Sequence, residues 1–266
     1  MPTPRLAVCQ FSTPFDGEVA YFEIGLHRLT HPRPRGWDVV ERRLGSGAAE
    51  QRARQVLECR PDAIVLHVYR NRVVDALDLA RELAAIAPEI PLLWCGWSAH
   101  APYVQAVAEA TIPLVHPRML LVCGELEASL PAVLEAIRSG IDEPERLVER
   151  SGSLTYFEPG AKEWRGEGRF ERVADLTRLA AVWGDDESME AHAGGAGWIE
   201  LSRGCRYACG FCVACSMGDG DVRSHSPGRI REEIEGASGR GVKLFGLLAA
   251  AVNYDLESLR AAAGAL

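Results

Sequence analysis

The chain has 266 residues, enough for one large domain or two ordinary ones and for a well-buried core. Hydrophobic residues make up 47% and charged residues 25%, ordinary values for a globular protein. The formal net charge of −8 argues against an electrostatic hold on nucleic acid or anionic membranes. No unbroken apolar run is long enough to span a bilayer. The start, MPTPRLAVCQ, lacks the basic and apolar segments of a signal peptide, so the expected location is the cytoplasm.

In chain order, residues 5–12 (RLAVCQFS) read as a strand and 48–59 as a helix closed by Pro61. Residues 63–69 (AIVLHVY) form a β-branched apolar run, the pattern of a buried strand. Residues 73–86 place Val74, Leu77, Leu83 and Ile86 at helical spacing before Pro88. PLLWC (91–95) and MLLVC (119–123) read as two further buried strands, each followed by glycine, Gly96 or Gly124. The helix at 126–139 is closed by Gly140, which suits a left-handed C-cap. Continuously apolar strands are buried on both faces, and alternating βα units imply a parallel sheet with right-handed crossovers. The expected fold is α/β, a doubly wound, flavodoxin-like domain of five strands over residues 1–145. Its ligand belongs beyond the carboxyl ends of the strands.

Residues 146–195 change character. They read as a short hairpin followed by an extended connector, and so as a boundary region. The βα rhythm restarts over 196–266. WIELS (198–202) is a strand, Ser226 caps a helix that begins at Pro227, VKLFGLL (242–248) is a second strand, and Asp255 caps a last helix.

Four of the eight cysteines, Cys205, Cys209, Cys212 and Cys215, fall within one short loop, SRGCRYACGFCVACSMGDG. In a reducing compartment such a cluster reads as a metal or redox site. The C-x3-C-x2-C spacing of Cys205, Cys209 and Cys212 lets three thiolates hold three irons of a four-iron cluster and leaves the fourth iron open. Gly204 and Gly210 let the backbone wrap closely. With Cys215 included, the four could instead bind zinc or a fully ligated cluster, although zinc sites more often pair two C-x2-C knuckles at longer separation. Cys215 is read as a bystander.

This loop resembles that of the radical S-adenosylmethionine (SAM) superfamily, on Arg203-Gly204-Cys205, the cysteine spacing, Phe211 before Cys212, and the preceding strand. The resemblance implies a [4Fe–4S] cluster on the three cysteines, SAM chelated at the open iron, cleavage to a 5′-deoxyadenosyl radical, and Phe211 near the adenine. The bland alternative for Phe211 is core packing. Arg203 would tune the cluster; its bland role is an ion pair with Glu200. The chain departs from the family at Ala249, where an aspartate is usual, and in lacking a Gly-Gly-Glu motif.

A flavodoxin-like domain ahead of such a loop resembles the cobalamin-binding radical SAM subgroup. PDAIVLHVY is similar to its third strand, Cys95-Gly96-Trp97-Ser98 stands where it has a Gly-Gly-Pro turn, and Cys123-Gly124-Glu125 resembles its Gly-Glu turn. The resemblance makes Ser12, Thr13, Tyr69, Arg70, Asn71, Gly96, Trp97, Ser98, Gly124 and Glu125 the candidate cobalamin contacts. Each also suits a plain strand-to-helix turn. The cobalt-ligating Asp-x-His-x-x-Gly motif is missing, which leads to the expectation of no protein histidine on cobalt.

The implied function is a cobalamin-dependent radical SAM enzyme, radical methyl transfer being one outcome, with a small-molecule or peptide substrate and a flavodoxin- or ferredoxin-type reductant. The family barrel needs more than two βα units, so the sequence reads as the front part of a longer enzyme ahead of a shortened relative or a remnant. The alternatives are a non-catalytic cobalamin and iron–sulfur module that works with a partner, and a zinc-binding interaction protein.

Overall fold

Uninterrupted apolar runs build the first unit. In the computed structural model, which describes residues 2–11, 34–45, 47–68, 72–96, 116–158, 160–179, 181–183, 196–207, 209, 212 and 220–266, the chain divides into two compact units. One runs to Arg172 and the other starts at Val173.

The first unit holds a seven-stranded, mostly parallel sheet. Its strands are β1 (Arg5–Phe11), β2 (Asp38–Leu44), β3 (Ala63–His67), β4 (Leu92–Cys95), β5 (Met119–Val122), β6 (Leu154–Glu158) and β7 (Glu163–Arg165). The order is β2-β1-β3-β4-β5-β6-β7. The first five strands are parallel in the 2-1-3-4-5 order of flavodoxin-like folds, and the chain switches direction between β1 and β3. The hairpin β6–β7 then joins β5 antiparallel. The expected hairpin is therefore part of the sheet.

β1, β3, β4 and β5 are almost wholly buried because both of their faces are covered. On one face, Cys9, Phe11, Leu66, Val68 and Trp94 pack against Ala53 and Val56 of α1 (Ala49–Leu57) and Ala76, Leu77 and Leu83 of α2 (Val73–Ile86). Each such leucine contributes about 2 kcal/mol by leaving water. Val74 and Ile86 differ from expectation: both are exposed, because the buried stripe of α2 runs through Ala76, Leu79, Ala80 and Leu83. Arg52 ties the two helices together with an ion pair to Asp75 (3.0 Å).

The helix α3 (Leu126–Arg138) ends as its glycine foretells. Gly140 has φ +83°, its N–H bonds to the Ile137 carbonyl, and the Ile141 N–H reaches back to Ala136, a Schellman closure.

The second unit pairs β8 (Ala196–Glu200) in parallel with β11 (Leu244–Leu248), and β9 (Ser202–Arg203) antiparallel with β10 (Arg223–Ser224). The helices α4 (Pro227–Gly239) and α5 (Leu256–Ala265) start at the expected caps. Ser226 Oγ accepts from the Arg229 N–H, and Asp255 accepts from Glu257 and Ser258. Ile199, Leu201, Ile230, Ile234 and Ala262 form the core. Part of the stretch read as an extended connector belongs to it: Val182 and Trp183 are fully buried in this core. Their apolar side chains have more to gain from α4 than from water.

No helix among the described residues is long and apolar enough to cross a membrane.

Candidate functional site

The cysteine loop leaves the second unit's sheet at the carboxyl end of β8 and is pinched shut at its base. β9 and β10 pair Arg203 with Arg223 and Ser202 with Ser224. One step further, Gly204 takes φ +96°, and a side chain there would collide with the Asp221 carbonyl. Only glycine allows both the left-handed backbone and this closeness. The strand pair and Gly204 thus hold the two arms of residues 204–222 together, with Cys205 at the neck.

Cys205, Cys209 and Cys212 form no disulfide, and each is half-buried. Cys205 Sγ shares a hydrogen bond of 3.1 Å with the Tyr254 hydroxyl. The tyrosine bond first, and the Tyr207 backbone N–H second, hold the Cys205 thiol below its ordinary value. Burial, then Cys205 itself, pushes the Tyr254 phenol up to about 12, so the phenol keeps its proton to donate. Arg206 lies over the Tyr254 ring at 4.8 Å. The Cys212 N–H donates to the Cys209 carbonyl at 2.9 Å.

Hydrogen bonds onto sulfur favour the thiolate, the form that ligates metal. Three cysteines outside any disulfide, in one glycine-bearing loop, are a donor set suited to iron–sulfur ligation. The residues thus fit a cluster by chemistry. Their sulfurs are not gathered: among the described residues no group of three or more His, Cys, Asp or Glu side chains is arranged to hold a metal ion. Phe211 and Cys215 lie outside the described residues.

Behind the loop stands a charged network. Arg203 donates from Nε to Glu200 Oε1 (2.9 Å) and from Nη2 to Oε2 (3.3 Å), and His225 Nε2 lies 3.2 Å from Oε2. The ion pair between Arg203 and Glu200 is the one weighed from sequence. His225, fully buried, is an addition that no local pattern announces.

In the first unit the described candidates are Gly96, Gly124 and Glu125. Gly96 (φ +95°) is needed by its own surroundings, since a Cβ would stand 2.7 Å from the Val68 carbonyl and 3.2 Å from the His67 ring. Gly124 (φ +114°) makes a bridge to Glu171, whose backbone fills the space a side chain would take, and the Glu125 N–H bonds to the Glu171 carbonyl at 2.7 Å. The smallness of these two glycines thus serves the chain's own packing. Ser12, Thr13, Tyr69, Arg70, Asn71, Trp97 and Ser98 lie outside the described residues. Gln10 and His67, at the ends of β1 and β3, are polar residues that the sequence pattern absorbs into apolar strands.

No protein-family pattern matches the chain, and no curated protein matches it. Solved structures do. The chain is similar to TsrM from Kitasatospora setae, a radical S-adenosylmethionine methyltransferase, in a structure with tryptophan substrate and the SAM analog aza-SAM bound (17% identity, TM-score 0.66, 98% of this chain and 50% of that one). It is equally similar to the same protein with cobalamin and a [4Fe-4S] cluster bound (17% identity, TM-score 0.66, 98% of this chain and 51% of that one). At this identity the likeness is one of fold. The chain spans about half the length of these structures.

Proposed function

We propose that the chain belongs to a cobalamin-dependent radical SAM enzyme whose reaction is methyl transfer. Cys205, Cys209 and Cys212 would hold a [4Fe–4S] cluster, SAM would sit at the open iron with Phe211 beside its adenine, and cobalamin would lie at the carboxyl edge of the first unit's sheet. The observation that carries this is the C-x3-C-x2-C loop directly after a strand, in a chain whose fold over 98% of its length matches a protein solved with cobalamin and a [4Fe-4S] cluster. When bound, the cluster would supply the electron for reductive cleavage of SAM, with methionine as the other product, and cobalamin would supply a methyl carrier.

The chain's own residues do the rest. Tyr254 and the Tyr207 N–H hold the Cys205 thiol below its ordinary value, in the direction of the thiolate that ligates metal. Gly204 fixes the neck of the loop. Glu200 holds Arg203 against the strand that leads into the loop, leaving a cation close to Cys205 in sequence. The electron would come from a flavodoxin- or ferredoxin-type protein, and the substrate would be a small molecule or a peptide.

The test is anaerobic reconstitution with iron and sulfide, then reduction with dithionite and SAM. The expected result is about four irons per chain, a reduced-cluster electron paramagnetic resonance signal that changes on adding SAM, and 5′-deoxyadenosine, all lost in Cys209→Ala. Zinc instead of iron in anaerobically purified protein would sink the proposal.

A further inference from the structure

Buried polar atoms in folded proteins are nearly always hydrogen-bonded, so two neighbouring exceptions call for an explanation. Gln10 on β1 is only 5% exposed, and its amide Nε2 has no partner. His67 on β3 stands beside it in register, and its ring Nδ1 is also buried without a partner. Residues in register on adjacent parallel strands point to the same face. Cys9, Phe11, Leu66 and Val68 occupy the opposite face with α1 and α2. Gln10 and His67 therefore share the other face, at the carboxyl ends of the two strands between which the sheet reverses its direction of growth. That is the place where sheets of this order bind ligands.

The chemistry of the pair selects among ligands. Burial holds the His67 imidazole down to about 4, with Glu127 pulling weakly the other way, so the ring is neutral at physiological pH. A neutral imidazole offers one N–H and one lone pair, and the glutamine amide offers N–H donors. Neither carries a positive charge to favour a phosphate or carboxylate, and the nearby Glu127 charge disfavours an anion further. Gly96 closes over the other edge of the ring, where its Cβ would meet His67 Nε2 at 3.3 Å. What fits is a neutral group that accepts and donates at once, and a primary carboxamide does both.

We propose that Gln10 and His67 form a carboxamide subsite for the corrinoid ring. The Gln10 Nε2–H donates to the carboxamide oxygen, and His67 Nδ1, in the tautomer protonated on Nε2, accepts from the carboxamide N–H. This rests on the cobalamin reading above, since the corrin ring carries primary carboxamides around its rim. It names two residues outside the candidate set read from sequence.

The experiment titrates the full chain with hydroxocobalamin, followed by tryptophan fluorescence and visible absorption, in wild type, Gln10→Met and His67→Phe. Each variant swaps an unsatisfied buried polar group for an apolar one of similar size, so the unliganded melting temperature is expected to hold or rise. The dissociation constant is expected to rise tenfold or more in each. In wild type, at least one corrinoid with a single carboxamide hydrolysed to the acid is expected to bind tenfold more weakly, with the penalty largely gone in Gln10→Met. Wild type that binds hydroxocobalamin while both variants bind within threefold of it overturns the subsite and leaves the cobalamin reading standing. Wild type that does not bind overturns both. Should the variants fail to fold, nitrogen-15 spectra of histidine-labelled wild type decide: the His67 Nδ1 resonance moves on adding hydroxocobalamin, and a resonance that stays still overturns the proposal.

Discussion

The backbone carbonyl of Trp183 rests directly against Gly236 of α4, in the space a side chain at 236 would occupy. Gly236→Ala is therefore expected to pry the 181–183 segment off the helix and to destabilise the second unit by about 1–3 kcal/mol. Chemical denaturation followed by tryptophan fluorescence reads this out, because Trp183 is fully buried. A variant as stable as the parent would show that the helix and the segment can part at little cost.

The same segment is also held by a buried carboxylate. Glu233 accepts from the N–H groups of Val182 (2.9 and 3.0 Å) and Trp183 (2.9 Å) and pairs with Arg229 at 3.3 Å. Glu233→Ala leaves the buried Val182 and Trp183 N–H groups without their acceptor and takes one partner from Arg229, which keeps the Leu179 carbonyl and Glu232, for an expected loss of about 2–4 kcal/mol. Glu233→Gln keeps an acceptor and should lose less. Limited proteolysis near 173–183 and urea midpoints compare the two, and equal losses would mean that charge alone matters.

Asp255 caps α5 through the N–H groups of Ser258 and Glu257, and the Ser258 bond first of all holds its carboxyl below the ordinary value. Asp255→Ala should cost about 1 kcal/mol. A depressed carboxyl stabilises the fold fully above its unfolded value of about 4 and loses that contribution as the pH falls through and below it. The stability gap between parent and variant is expected to be constant from pH 7 to 5 and to shrink towards pH 3.

Two imidazoles act in the same direction at higher pH. Burial pushes His67 and His116 down to about 4, the latter against Glu89 and with help from Arg118. Folded, both stay neutral while the unfolded chain takes up protons near pH 6.5, so their contribution is whole above 6.5 and declines as the pH drops towards 4. Urea midpoints are expected to fall between pH 7.5 and 5, by on the order of 1–3 kcal/mol per imidazole over the full window. His116→Asn should flatten that slope, and an unchanged slope would remove His116 from the account.

Gly204→Ala tests the neck of the cysteine loop. The added methyl meets the Asp221 carbonyl in a left-handed backbone, at an expected cost of about 1–3 kcal/mol. Iron and acid-labile sulfide per chain after anaerobic reconstitution should drop, while unit one, read by circular dichroism of its sheet, melts as before. Full iron loading in this variant would mean that the neck does not govern the ligands.

What the sequence reveals follows from how each element is buried. β1, β3, β4 and β5 stand out because strands covered on both faces are apolar throughout. β2, DVVERRL, does not, since it sits at the edge of the sheet and keeps four charged side chains. The caps at Ser226, Asp255 and Gly140 are local and thus readable. The packing of Trp183 on α4 depends on bonds across about fifty residues, which no window along the chain contains. The site divides in the same way. The thiols and the Arg203–Glu200 pair are written in short spacings, whereas Tyr254 reaches Cys205 from 49 residues away. Gln10 and His67 leave one faint local mark, a lone polar residue near the carboxyl end of a buried strand.

The parallel sheet does not finish where its parallel strands do. β5 has β4 on one flank and the hairpin strand β6 on the other, and Glu171 is stitched to Gly124 beyond them. Dividing the gene just after α3 would strip β5 of its outer neighbour and present a leucine-rich, unpaired flank to every other copy in the cell. The shortest stretch of gene expected to yield a well-behaved front half therefore extends through the codon for Arg172, some thirty codons past the last helix of the alternating βα series.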